Sequence, residues 1–274
     1  GARAETMEGK MTRLRRRAVL SALGVAVVAP AVAASLRPTR AYAADLYPSN
    51  TAVYADPALA EGTDYGRRYR RHGALDDSDG AAVAFPDTVV LAPHGGGIEP
   101  GTSELCLAVA GYHPATAVTD GPSYDYWMFE GLRASNNGAL HVTSTHCDDP
   151  VALALAAGAR RAVSLHGCGT AEVGLPDGTA AVLVGGRDAT LRQRLLDGDA
   201  AAGIAALDAA TVPAVAGEDP ANIVNRTLTA GGAQLELTTP LRAAMFGTNT
   251  RSQRRYTTTA SFWLFVEATR LALP

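Results

Sequence analysis

The chain has 274 residues, 47% hydrophobic and 19% charged, with a formal net charge of −3. Eight of the 24 basic side chains lie within the first 43 residues, against two of the 27 acidic ones, so the remainder carries a net charge of −9. That balance argues against a nucleic-acid partner, and the 231 residues after Ala43 suit one domain with a full core.

The N-terminus reads as a targeting segment. Arg13-Leu-Arg-Arg-Arg17 is a basic n-region, Val19 to Ala34 is apolar, and Ala41-Tyr-Ala43 is an A-x-A cleavage site. Arg16-Arg17 resembles a twin-arginine export signal, although Arg15 stands where a small polar residue is usual. The expectation is a secreted chain that starts at Ala44, with residues 1–43 as its signal and 44–274 as one domain. No later segment is apolar for long enough to span a membrane.

Residues 35–60 show no clear periodicity, and 64–79 are polar. From Thr88 the pattern alternates short apolar runs with helical stretches, which argues for an α/β domain. Strands are expected at Thr88–Pro93, Tyr124–Glu130, Leu140–Thr143, Arg161–Leu165, Ala181–Val184 and Gln234–Thr238. Helices are expected at Pro100–Ala110, at Pro150–Ala157 behind an Asp149 cap, at Asp188–Leu207 and at Ser261–Leu271. Cys106, Cys147 and Cys168 are either three buried thiols or one thiol beside a Cys147–Cys168 bridge.

His94-Gly-Gly-Gly-Ile-Glu99 closes the first strand. Glycines allow a sharp turn that brings the imidazole and the carboxylate onto one metal ion. His166 closes a second apolar strand before Gly167-Cys-Gly169, and His146 sits in the polar turn Ser144-Thr-His-Cys-Asp-Asp149. Both compete for the third ligand position. Two histidines and one glutamate form a zinc set that leaves a coordination position open. His146 suits substrate contact or transition-state stabilisation better.

Leu235 and Leu237 face one side of their strand, and Gln234, Glu236 and Thr238 the other. A carboxylate between leucines is costly unless it is solvated, paired or used. Beside a metal, Glu236 would serve as general base; away from one, it is an edge-strand carboxylate or a partner of Arg242. Arg187, Arg226 and Arg242 are each open to two readings, a clamp on a substrate carboxylate or an ordinary ion pair.

The four motifs His94–Glu99, Ser144–Pro150, Ser164–Cys168 and Gly232–Thr238, in this order, resemble the poly-γ-glutamate hydrolase family, also described as phage-related replication proteins. The resemblance covers roughly residues 50–272. It implies a compact zinc-carboxypeptidase-like (phosphorylase/hydrolase-like) α/β domain, with a mixed sheet flanked by helices. It implies a zinc metalloprotease-type enzyme that cleaves γ-glutamyl amide bonds of poly-γ-glutamate; a monomer with no membrane association after signal removal is expected beside it. It also implies His94, Glu99 and His166 as zinc ligands and Glu236 as catalytic glutamate, with His146 a motif histidine of unassigned role. Other readings are a zinc amidohydrolase for small N-acyl-amino acids, a hydrolase of γ-glutamyl links in cell-wall peptides, and a non-catalytic metal-binding, phage-associated protein. A Ser/His/Asp hydrolase is disfavoured by the lack of a G-x-S-x-G motif.

Overall fold

The computed structural model describes residues 45–72, 87–119 and 121–274. The expected signal, residues 1–43, lies outside them. A short helix α1 (Asn50–Ala55) and strand β1 (Tyr65–Arg70) lead into β2 (Thr88–Gly96), α2 (Thr102–Val109) and β3 (Asp125–Gly131). Then follow α3 (Pro150–Gly158), β4 (Arg161–Cys168), β5 (Val182–Gly186), α4 (Ala189–Ala201) and β6 (Ala206–Asp208). The chain closes with β7 (Ala233–Thr238), α5 (Thr239–Ala244) and α6 (Ala260–Ala272).

Among the described residues the strands form one mixed seven-stranded sheet in the order β1-β3-β2-β4-β7-β5-β6. β3, β2, β4 and β7 are parallel neighbours. β1 and β5 are antiparallel to β3 and β7. The parallel strands are apolar on both faces because both faces are covered. Val90, Ala92, Val163, Leu165, Leu235 and Leu237 pack in one core with α2, α4 and α6. Val89, Leu91, Trp127, Phe129 and Ala162 belong to a second core with α1 and α3. Among the described residues, no helix is long and apolar enough to cross a membrane.

Two sequence expectations are corrected. Leu140–Thr143 is not a strand: Asn137–Leu140 is a 3-10 turn, and the chain then runs extended into a second such turn at Ser144–His146. Apolar alternation at Leu140 and Val142 reflects two side chains buried in the second core, without ladder pairing. The long helix stops at Ala201, and Ala206–Asp208 pairs as an edge strand with β5; Gly203, at φ +77°, turns the chain between them. The Asp149 cap is as expected, its carboxylate accepting from Val151 and Ala152 N–H. Cys106, Cys147 and Cys168 are buried, unbridged thiols.

Asp199 is the costly residue of this core. It is fully buried in α4, and neither carboxylate oxygen has a hydrogen-bond partner among the described residues. Burial pushes its carboxyl up to about 7. The unfolded chain releases this proton near pH ~4, so stability is lost as pH rises from there towards 7 and stays reduced above it. Asp199→Asn is expected to raise the melting temperature by several degrees at about pH 8 and to leave it nearly unchanged at about pH 4. Thermal melts at both pH values check this, and an equal shift at both would contradict it.

Candidate metal and catalytic site

The site lies at the C-terminal edge of the parallel strands, on the face covered by α3. His166 reaches it by simple strand alternation. His94 does not. In β2, Ala92 pairs with Met128 while Gly95 pairs with Glu130, so the strand carries one extra residue across Pro93-His94. Proline cannot donate to a ladder and is tolerated in a central strand at such a bulge. The extra residue inverts the alternation, turning His94 from the α2 face to the face of His166. Tight turning follows: Gly96 has φ +65°, and a Cβ there would collide with the Gly131 carbonyl. Glu99 N–H then donates to the His94 carbonyl at 2.9 Å, which folds the carboxylate back onto the imidazole.

His94, Glu99 and His166 each offer a ligand atom within 4.8 Å of the others. His94 Nδ1 is 2.9 Å from Glu99 Oε1 and 3.1 Å from His166 Nδ1. His94 Nε2 faces the Val142 carbonyl at 2.8 Å, which places the proton of a neutral ring there and leaves the Nδ1 lone pair inward. Gly167 N–H holds Glu99 Oε2 at 2.9 Å. Two imidazole nitrogens and a carboxylate thus converge on one buried point, an arrangement that is repulsive unless a cation or a proton sits among them. The donor set fits zinc with an open position.

Electrostatics follow from this crowding. Burial drives Glu99 up, but the adjoining His94, its hydrogen bond and His166 outweigh it and hold the carboxyl at about 2. Burial pushes His166 down to about 3. In His94 burial works the same way, but the charge and hydrogen bond of Glu99 overcome it and raise the ring above its ordinary value.

Glu236 stands beside His166 in register on β7. It lines the same cleft, a hollow of about 590 Å³ that also includes His94, Glu99 and His141. Burial, then the charge of Glu99, raises its carboxyl well above the ordinary range. Its Oε1 accepts from Gln234 Nε2 at 3.0 Å, while Oε2 is buried without a partner among the described residues.

The other expected residues sit elsewhere. His146 is more than half exposed, 4.0 Å from Asp45, and does not line the cleft. Arg187 follows Gly186, and because β5 is antiparallel to β7 that end lies beside Ala233, at the opposite edge of the sheet. Arg226 is exposed and outside the cleft lining. Arg242 is buried against Gly167, and its guanidinium donates to the Leu237 and Pro100 carbonyls and to Thr239 Oγ1. Sequence reasoning missed His141, which stacks on His94 with ring centroids 3.9 Å apart and whose Nδ1 lies 2.7 Å from Asp45 Oδ1. Its signal was present, an imidazole between the buried Leu140 and Val142.

The sequence matches the poly-gamma-glutamate hydrolase family over residues 82–268. The chain belongs to the poly-γ-glutamate hydrolase family. UPF0714 protein YndL of Bacillus subtilis (strain 168) is 33% identical over 196 residues, 72% of this chain and 69% of that protein. The SPbeta prophage-derived UPF0714 protein YoqZ of the same strain is 34% identical over 178 residues, 65% of this chain and 58% of its own. A solved bacteriophage poly-gamma-glutamate hydrolase superposes with a TM-score of 0.67 at 32% identity, over 83% of this chain and 96% of that one. A zinc-free form of YndL superposes with a TM-score of 0.68 at 29% identity, over 84% and 97%. The family is one of hydrolases, and its solved members share this fold.

In its protonated form His94 carries a second proton, on the inward Nδ1, that zinc would have to displace, and the charge of Glu99 favours that form. Zinc affinity is therefore expected to fall as pH drops through the raised His94 value, with proton release on binding growing over the same range. Calorimetric titration in buffers of different ionisation enthalpy measures both. A pH-independent affinity, or stoichiometric zinc in the His94→Ala chain, would contradict the assignment.

Proposed function

We propose that this chain is an exported zinc hydrolase that cleaves γ-glutamyl amide bonds of poly-γ-glutamate. The observation that carries the reading is the buried, half-partnered Glu236 carboxylate in register beside the His94, Glu99 and His166 donors. A closed structural zinc site has no use for such a neighbour. Likeness to a solved poly-gamma-glutamate hydrolase supports the substrate, and the Arg16-Arg17 leader with Ala41-Tyr-Ala43 supports export.

In this reading His94, Glu99 and His166 hold the metal. Bound zinc supplies Lewis-acid polarisation of the scissile carbonyl and an acidified water. Glu236 Oε2 takes the proton of the attacking water and passes it to the leaving amine. Its raised proton affinity suits an acceptor, and a cation at the donor set offsets the charge of Glu99 that contributes to it. His141, held by Asp45, borders the same space. Among the described residues, the lining of this cleft includes no arginine or lysine. The adjoining hollow, which shares Glu99 and His141, is bordered by Arg242.

A small N-acyl-amino acid would use the same zinc and glutamate. Glu236→Gln is expected to lower turnover of poly-γ-glutamate by about 10²–10⁴-fold while one zinc per chain stays bound. Chain-length analysis with metal content on the same sample checks this. Retained turnover would overturn the base assignment, and a wild-type chain that cleaves only small acyl-amino acids would overturn the polymer.

A further inference from the structure

We propose that Gln234 is a positioning residue for Glu236, the last link of an amide relay that decides which carboxylate oxygen is left to take a proton. The proposal rests on Glu236 being the base argued above.

The relay has a fixed direction. Val224 N–H donates to Asn222 Oδ1 at 3.1 Å, and a backbone N–H has no other role to play. Asn222 Nδ2 therefore points away from it and donates to Gln234 Oε1 at 2.8 Å. Gln234 Nε2 is left to donate to Glu236 Oε1 at 3.0 Å. Inverting the Gln234 amide would set oxygen against carboxylate and nitrogen against nitrogen, two repulsive contacts for two lost hydrogen bonds. The amide is also gripped sterically. It is buried, its Nε2 lies 3.4 Å from the Val215 carbonyl, and Gly217, at φ +64°, packs so close that a Cβ there would stand 3.0 Å from Gln234 Cδ.

The consequence falls on Glu236. Oε1 is committed as an acceptor, so the carboxylate cannot swing freely, and Oε2 is the oxygen without a partner among the described residues. Asn222, Gln234 and Glu236 all line the cleft. Sequence alternation places Gln234 and Glu236 on one face, but only the structure joins them in a directed chain that starts at a backbone donor. The same amide fastens the Val215–Gly217 wall, so a purely structural role for Gln234 is the alternative to be separated.

The test is steady-state kinetics of zinc-loaded Gln234→Leu on a γ-glutamyl peptide, beside wild type, Glu236→Gln and the double variant, with zinc content and melting temperature measured on each. Misorientation of a catalytic group costs rate rather than binding. The expected result is a kcat lower by about ten-fold or more, KM within about two-fold, one zinc per chain, and no added loss on top of Glu236→Gln. An unchanged kcat overturns the proposal. So does a loss that tracks zinc content, or one that persists in full on the Glu236→Gln background, because either marks a fastening role alone. Should Gln234→Leu not fold, Asn222→Ala carries the test at one remove: a lower kcat at constant KM supports the relay, and an unchanged kcat overturns it. A fully active Glu236→Gln chain would instead sink the base assignment, so the two failures read differently.

Discussion

One extra residue in β2 governs the rest of the site. Without the bulge at Pro93-His94, strand parity would send His94 into the core formed with α2 and leave His166 without its partner. With it, three donors from two strands and one turn meet at a buried point. The glycines after His94 serve the same end, because the chain must pass close to Gly131 and return Glu99 to within 2.9 Å of the imidazole it left five residues earlier.

Convergence of this kind is held by groups that do not themselves ligate. The Val142 carbonyl fixes one ring, the Gly167 N–H fixes the carboxylate, and Arg242 packs against Gly167 with hydrogen bonds to two carbonyls and a hydroxyl. Such neighbours set tautomer and orientation and tune what the first contacts can bind. Glu236 obeys a different rule: it is buried where a charge is expensive, keeps one oxygen unpartnered among the described residues, and stands beside a donor set that fits a cation. Stability is spent there to keep a proton acceptor dry and aimed.

The sequence carried much of this, and the gaps have physical causes. His166 and Glu236 were legible because both sit on regular strands, where alternation alone assigns a face. His94 and Glu99 were legible from the glycine run, although the bulge that turns His94 was not. His141 was hidden because Leu140 and Val142 are buried on an irregular segment that mimics strand alternation. Arg187 was drawn towards the site because strand direction is invisible in a single sequence, and β5 runs the other way. Arg242 was ambiguous because its partners are backbone carbonyls, which no residue pattern announces. The relay from Asn222 through Gln234 joins segments 12 residues apart by amides alone and had no pattern to reveal it.

The most direct measurement is the length distribution of poly-γ-glutamate after incubation with the chain as purified, after chelation, and after zinc is returned. The account predicts shortening that chelation stops and zinc restores. Shortening that persists in chelator, or none with zinc bound at one per chain, would contradict it.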